Sequence, residues 1–224
     1  MDASMEKTLK NFESHGIKAR YFETGEQARQ AIVQAVQGKR VAFGGSVTLQ
    51  QLGFYEALEQ NNSVFWHWVT PTEKRREREK ECEVFFTSAN ALSRTGEIVN
   101  IDGTGNRVTM AAYGPEKVYY ICGVNKLCPD IASAIDRARN VAAPQNAKRL
   151  GLDTPCVKDG VCHNCQSPQR ICNVMDITLR RPGTVEAEVW IIQEELGYWC
   201  LFARARARVD ARTCARVILL YNLL

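Results

Sequence analysis

Residues 100–126, NIDGTGNRVTMAAYGPEKVYYICGVNK, carry the clearest indication of the fold. They join a glycine-rich turn after one short strand, a helical segment, and a second apolar strand that ends in a polar turn. Short strands alternating with helices are typical of an α/β fold with a parallel sheet. Because the carboxyl ends of parallel strands meet at one edge of the sheet, polar turns at these ends predict a ligand site.

The same alternation extends along the chain in both directions from this stretch. The pattern predicts a mostly parallel sheet covered by helices on both faces. Predicted strands occupy residues 18–22, 40–43, 63–69, 84–87, 97–101, 117–122, 174–179 and 185–192, and predicted helices occupy 5–12, 26–36, 49–58, 71–81 and 131–138. We expect the last of these helices to stop before Pro144. We expect the charged segment 71–81 to be a solvated helix, with a contact to nucleic acid or protein as the second alternative.

Composition and charge limit the class of protein. Hydrophobic residues make up 45% and charged residues 24% of the 224-residue chain, as in soluble globular domains. No apolar run reaches the roughly 18 residues of a membrane span, and the polar N-terminus does not look like a secretory signal, so we expect a cytoplasmic protein without a membrane partner. The net charge of +4 is confined to residues 199–224, which carry five arginines and one aspartate. We therefore expect no nucleic-acid surface on the folded body, residues 1–198.

The turn after the predicted strand 40–43 is the first candidate binding element. Gly44 and Gly45 allow the backbone to approach a ligand closely, and Ser46 or Thr48 can either offer a hydroxyl to that ligand or cap the following helix. A helix N-terminus favours negative charge, so an anionic ligand is expected.

The turn at 102–107 is a second glycine-containing turn after a predicted strand, and it carries more polar groups. Asp102 can act as a base or bind a hydroxyl, Thr104 can cap the next helix, and Arg107 can clamp a carboxylate or phosphate. Alternatively, Asp102 and Arg107 form a salt bridge that only holds the turn. The remaining candidate ligand residues of these strand-end turns are Gly105, Asn106, Asn125 and Lys126.

Four cysteines lie in the irregular segment 152–173, with the spacing C-x5-C-x2-C-x6-C. They are Cys156, Cys162, Cys165 and Cys172. Four thiols in 17 residues match the ligand number of an all-cysteine zinc site or an iron–sulfur cluster, and His163 is a substitute for one of them. Free thiols or a disulfide remain the alternative. The other cysteines in the body, at 82, 122 and 128, are interpreted as structural.

Several phrases in order resemble the LUD (lactate-utilisation) domain family: GGSVTLQQLG at 44–53, TSANALSRTGEIVNIDGTGNRV at 87–108, YGPEKV at 113–118 and GVNK at 123–126. The resemblance continues through AAPQNAKRL at 142–150, TPCVKDGVCHNCQSPQRICN at 154–173 and EELGY at 194–198. It implies a Rossmann-like sheet of the NagB/RpiA/CoA transferase-like superfamily. Family members are associated with oxidation of L-lactate to pyruvate beside iron–sulfur partner proteins, and an oligomer is possible. No catalytic residue is implied, so whether the chain is an enzyme stays open.

Three functions follow as expectations. The first is support of L-lactate or related organic-acid oxidation, in which Arg107, Lys126 and the 44–48 turn hold an anion that Asp102 and Asn106 orient. The second is a non-catalytic redox or metal-sensing module based on the four cysteines. The third, suggested only by fold-level analogy, is an isomerase or transferase acting on a phosphorylated or CoA-linked substrate. The tail 199–224 departs from the family pattern; it reads as a frameshifted or read-through end or as a partner-binding appendage, and no site is placed there.

Overall fold

The computed structural model describes residues 1–70 and 72–198, so the predicted tail lies outside the described residues. The elements, in chain order, are α1 (Ala3–Ser14), β1 (Lys18–Phe22), α2 (Gly25–Ala35), β2 (Arg40–Phe43), α3 (Val47–Gln51), α4 (Phe54–Leu58), β3 (Ser63–Trp66), α5 (Arg75–Lys80), β4 (Val84–Thr87), β5 (Ala91–Ser93), β6 (Ile98–Asp102), α6 (Asn106–Ala112), β7 (Lys117–Gly123), β8 (Leu127–Cys128), α7 (Ile131–Arg137), α8 (Ala143–Arg149), α9 (Pro155–Asp159), β9 (Val174–Thr178) and β10 (Glu186–Ile192). A 3-10 turn (Val124–Lys126) follows β7, and a π-helical segment (Ala138–Ala142) joins α7 to α8.

Within the described ranges, six strands form one parallel sheet in the order β1-β10-β7-β4-β2-β3. The central strands are buried along nearly their whole length, as expected of a parallel sheet with both faces covered. Alternate residues enter two separate apolar clusters: Phe86 and Tyr119 face one side, whereas Phe85 and Tyr120 face the other. The predicted α/β fold with a two-sided, mostly parallel sheet is confirmed.

A second, smaller sheet was not predicted. It has the order β8-β5-β6-β9, with β6 antiparallel to both β5 and β9. The sequence located the strand that became β6, but a strand's apolar run does not specify its sheet. This small sheet carries Asn100 and Asp102 to the carboxyl edge of the main sheet.

Two predicted helices differ from the structure. The predicted helix 49–58 is two helices, because Gly53 between α3 and α4 has the left-handed backbone angle φ of 62°, which does not continue a right-handed helix. The helix expected to stop before Pro144 instead continues through the π-helical segment into α8. Proline lies in the first turn of α8, where its missing N–H is least costly.

The helices of the described part of the chain are all too short or too polar to traverse a lipid bilayer. The cysteine-containing segment 152–173 is mostly irregular, as predicted, apart from the single-turn helix α9.

Candidate functional site

A cavity of about 230 Å³ opens at the carboxyl edge of the main sheet. It lies over the ends of β2 and β4, where the strand order reverses: the chain passes outward from β2 to β3 and then returns to the other side of β2 as β4. Such a reversal leaves a crevice in which ligands of α/β proteins bind. The structure places eight of the eleven predicted ligand residues on its wall: Gly45, Ser46, Thr48, Asp102, Thr104, Asn106, Arg107 and Lys126.

The two glycines after β2 are required by packing. A Cβ atom at Gly44 would lie 2.9 Å from Cγ of Arg107, and one at Gly45 would lie 3.0 Å from the ring of Trp68. Gly45 lines the cavity, whereas Gly44 does not. The hydroxyl of Ser46 caps α3 by accepting from Leu49 N–H at 3.2 Å, so the capping alternative is confirmed for this residue.

Asp102 organises the second turn. Its carboxylate accepts backbone hydrogen bonds from Thr104, Gly105 and Arg107 at 3.0–3.2 Å, and thereby caps α6. The prediction that Thr104 caps this helix is wrong: Gly105 occupies the N-cap position with φ of 87°, and does not line the cavity. A carboxylate satisfied by three amides acts here as a fixed part of the turn.

Arg107 directs its guanidinium into the protein. Nη1 donates to Ser88 O and Asn100 Oδ1, and Nη2 donates to Asn90 Oδ1 and Ile101 O. Nε lies 3.6 Å from Asp102 Oδ2, so the salt bridge considered for this pair is present. Burial lowers the pKa of Arg107, an effect that the nearby Asp102 charge opposes. Because four of its N–H groups donate to other protein groups, Arg107 links the strand ends and has little hydrogen-bonding capacity left for a ligand.

Asn125 and Lys126, adjacent in sequence, have different roles. The Asn125 amide accepts from Leu196 N and donates to the carbonyls of Leu196 and Tyr198, and it does not line the cavity. It fixes the 196–198 turn, which brings Tyr198 onto the cavity wall.

Lys126 is 5% exposed and lines the cavity. Its ammonium donates to Thr48 Oγ1 at 2.8 Å and to Ser88 Oγ at 2.7 Å. Burial, followed by the charges of Arg137 and Arg107, lowers the pKa of Lys126 to about 8, while Cys122 acts in the opposite direction. Among residues 1–70 and 72–198, no carboxylate forms an ion pair with this ammonium. Two hydroxyl groups accept its hydrogen bonds, and the side chain also lines the cavity.

Sequence reasoning missed several wall residues that come from distant segments. Arg149 lies 5.0 Å from the centre of the Trp68 ring, and its Nε donates to Tyr198 Oη at 2.8 Å. Arg149 and Tyr198 belong to the phrases AAPQNAKRL and EELGY, which carried the family resemblance but indicated no role. Trp68 follows an aromatic-rich strand whose tryptophans are usually interpreted as core.

Arg75, from the charged helix α5, is also part of the cavity wall. The spacing of Arg75 and Glu79 gives the expected ion pair at 2.8 Å, but Glu79 is 3% exposed, so this face of α5 is not solvated as predicted. Glu79 also accepts from Asn106 Nδ2 at 3.2 Å. Burial, with the Arg75 charge, lowers the pKa of His67 to about 4, so its 3.6 Å contact with Glu79 is not an ion pair at neutral pH.

The four loop cysteines lie apart from these residues, around a second small cavity. Within the described part of the chain, no group of three or more His, Cys, Asp or Glu side chains is arranged to hold a metal ion. The three cysteines interpreted as structural, Cys82, Cys122 and Cys128, are buried.

Comparison with known proteins identifies a family and a related fold. The chain is similar to the crystal structure of a DUF162 family protein from Deinococcus radiodurans, with a TM-score of 0.51 and 9% sequence identity, over 84% of this chain and 96% of that one. At this identity the likeness concerns the fold alone. No curated protein matches the sequence. The family model of the LUD domain matches residues 5–192, and the chain therefore belongs to the LUD domain family.

Proposed function

We propose that this LUD-domain protein binds a small organic acid, L-lactate or a related carboxylate, in the cavity at the strand ends, and in this way supports oxidation of that acid. The observation that carries the proposal is Lys126, whose buried ammonium has no ion-pair partner among the described residues. An uncompensated buried charge is costly unless a ligand of opposite charge completes it.

The balance of charge on the cavity wall supports an anion. Among the residues that the structure describes, Arg75, Arg107, Lys126 and Arg149 line the cavity, and Asp102 contributes the one carboxylate on its wall. That carboxylate is already occupied by three backbone amides and the neighbouring guanidinium. The aromatic rings of Trp68 and Tyr198 would exclude water and strengthen the attraction to the ammonium.

Cavity size favours a small ligand. Its volume of about 230 Å³ lies below the range of about 300–1,000 Å³ typical of drug-sized ligand sites. A carboxylate of a few carbon atoms fits this space better than a complete CoA thioester or a dinucleotide. The hydroxyls of Ser46 and Thr48 supply groups suited to a hydroxy acid.

Within this proposal, the residues divide into contact and positioning groups. Lys126 and Arg149 would contact the carboxylate. Asp102, Arg107 and Asn125 hold the three turns in register, because their polar atoms are bonded to backbone and amide groups of neighbouring segments.

The test is calorimetric titration with L-lactate, D-lactate, pyruvate and inorganic phosphate. We expect a carboxylate to bind to the native chain, and Lys126→Met to weaken that binding at least tenfold. Lys7→Met, at an exposed lysine outside the cavity, is the matched control and should bind normally. Equal carboxylate affinity in the native and Lys126→Met proteins, or binding of phosphate alone, would refute the proposal.

A further inference from the structure

Lys126 presents an amine, which is a nucleophile when neutral, at the wall of the anion cavity. The side chain is almost fully buried, yet it lines the cavity. Its Nζ donates to Thr48 Oγ1 at 2.8 Å and to Ser88 Oγ at 2.7 Å. Ser88 Oγ in turn donates to the carbonyl of Ile121, which fixes this hydroxyl. The amine is therefore held in one position, as a reaction with a bound ligand requires.

The backbone next to this amine leaves space beside Nζ. Gly197 lines the same cavity, and a Cβ at this position would lie 3.3 Å from Lys126 Nζ and 2.6 Å from Thr48 Oγ1. Its φ of 71° also favours glycine. A side chain at residue 197 would occupy the space beside Nζ, whereas glycine leaves that space to a ligand atom.

The surroundings of Lys126 also increase the reactive form of its amine, because only the neutral amine attacks an electrophile. Burial lowers the pKa of Lys126 to about 8, so at about pH 7.5 roughly a quarter of this side chain is neutral, against roughly 0.1% at a pKa of 10.5. The two N–H groups of the neutral amine can keep their hydrogen bonds to Thr48 and Ser88. The lone pair is then left for a bond to a ligand.

The carboxylate of a bound acid decides which of its carbon atoms meets this amine. Arg149 lines the cavity together with Lys126, and both are proposed to contact the carboxylate. In a 2-oxo acid the carbonyl carbon is bonded directly to the carboxyl carbon, so it comes next to Nζ. A 2-hydroxy acid such as lactate has no electrophilic carbon at this place and can bind only non-covalently.

We propose that Lys126 forms a Schiff base with a 2-oxo acid such as pyruvate and so holds the oxidised acid covalently. This inference rests on the proposed function, because it requires a carboxylate in the cavity. Nζ, after loss of a proton, adds to the carbonyl carbon, and the electron pair of the C=O bond moves to the oxygen, which takes up a proton. The resulting carbinolamine loses this oxygen as water. Ammonium and ketone thus give a protonated imine and one water molecule, without an oxidant, a reductant or a further reactant.

The experiment is treatment of the full chain with sodium borohydride in the presence of pyruvate, followed by mass spectrometry of the intact protein and of its peptides. Borohydride reduces an imine to a stable secondary amine, so we expect a mass increase of about 72 Da, located on Lys126. L-lactate in place of pyruvate should add no mass, because it has no carbonyl group to condense. Lys126→Met should add none with pyruvate, whereas Lys7→Met, at an exposed lysine outside the cavity, should be labelled like the native chain.

Calorimetry separates the failure of this inference from the failure of the proposed function. If pyruvate binds to the native chain but borohydride adds no mass, the Schiff base is refuted and the carboxylate site stands. If neither pyruvate nor L-lactate binds, both proposals fail. Adducts spread over several exposed lysines of the native chain, or equal labelling of the native chain and Lys126→Met, would also overturn the Schiff base. The position of the label in the native chain decides the question without any variant.

Discussion

Replacement of Lys126 by methionine should stabilise the protein while removing its anion site. Methionine fills a similar volume without a charge. Burial lowers the pKa of Lys126 from 10.5 to about 8, which corresponds to about 3 kcal/mol of destabilisation by the charged form at neutral pH. The substitution also removes hydrogen bonds to Thr48 and Ser88, each contributing about 1 kcal/mol.

The net expectation is a gain of about 1–2 kcal/mol in the free energy of unfolding. For a domain of this size the melting temperature should rise by roughly 2–8 °C. Thermal and urea denaturation followed by circular dichroism would measure the change, with Lys7→Met as the matched control.

The dependence on pH provides a second, independent test. Below about pH 8 Lys126 is charged in both the folded and the unfolded states, so the cost of burying this charge fully lowers the stability of the native chain. As the pH rises from about 8 to 10.5, the folded state loses its proton first and the penalty disappears. The stability advantage of Lys126→Met should therefore shrink across this interval. A variant that is less stable than the native chain at neutral pH, or whose advantage does not depend on pH, would refute this account of Lys126.

Three further outcomes follow from the same geometry. Asp102→Ala should lower the free energy of unfolding, measured by urea denaturation, by about 3–5 kcal/mol. The reason is that the substitution uncaps α6 and leaves the buried Arg107 charge without its carboxylate partner. A loss below about 1 kcal/mol would contradict this reasoning. Gly45→Ala should lower the free energy of unfolding by about 1–3 kcal/mol and weaken anion binding, since the new Cβ meets an indole ring at 3.0 Å. Gly183→Ala, whose Cβ has no atom within 4 Å, should change neither the stability nor the binding. Folded-state burial lowers the pKa of His67 to about 4, so between pH 6.5 and about 4 the unfolded state binds the extra proton and the free energy of unfolding falls as the pH falls. His67→Phe should remove this contribution. Identical dependence of the unfolding free energy on pH in the native chain and in His67→Phe would exclude it.

The elements of the main sheet were largely readable from local sequence. The runs that became β1, β2 and β4 have the predicted bounds. For β2 and β4 this follows because a strand buried on both faces needs a short continuous apolar run between turn residues. The position of the cavity also followed from the sequence, since parallel strands place their terminal turns at one edge.

The roles of individual side chains were not predictable in the same way. Arg107 and Asp102 looked like ligand groups, yet both are occupied by backbone amides, carbonyls and each other. Lys126 and Asn125 are adjacent, but one faces the cavity and the other holds a turn 71 residues away in sequence. A polar residue's role depends on which distant groups satisfy it, and that is a property of the assembled structure.

The sequence by itself therefore determined the α/β fold, its family and the edge of the sheet where polar turns collect. It did so because periodicity, glycine placement and the spacing of motif residues within short segments are local properties of the chain. Only the tertiary structure decided that Trp68, Arg149 and Tyr198 complete the cavity wall, and that Lys126 is its buried charge without an ion-pair partner among the described residues. Long-range packing sets burial, burial sets the cost of a charge, and that cost distinguishes the lysine proposed to bind from the arginine that holds the fold.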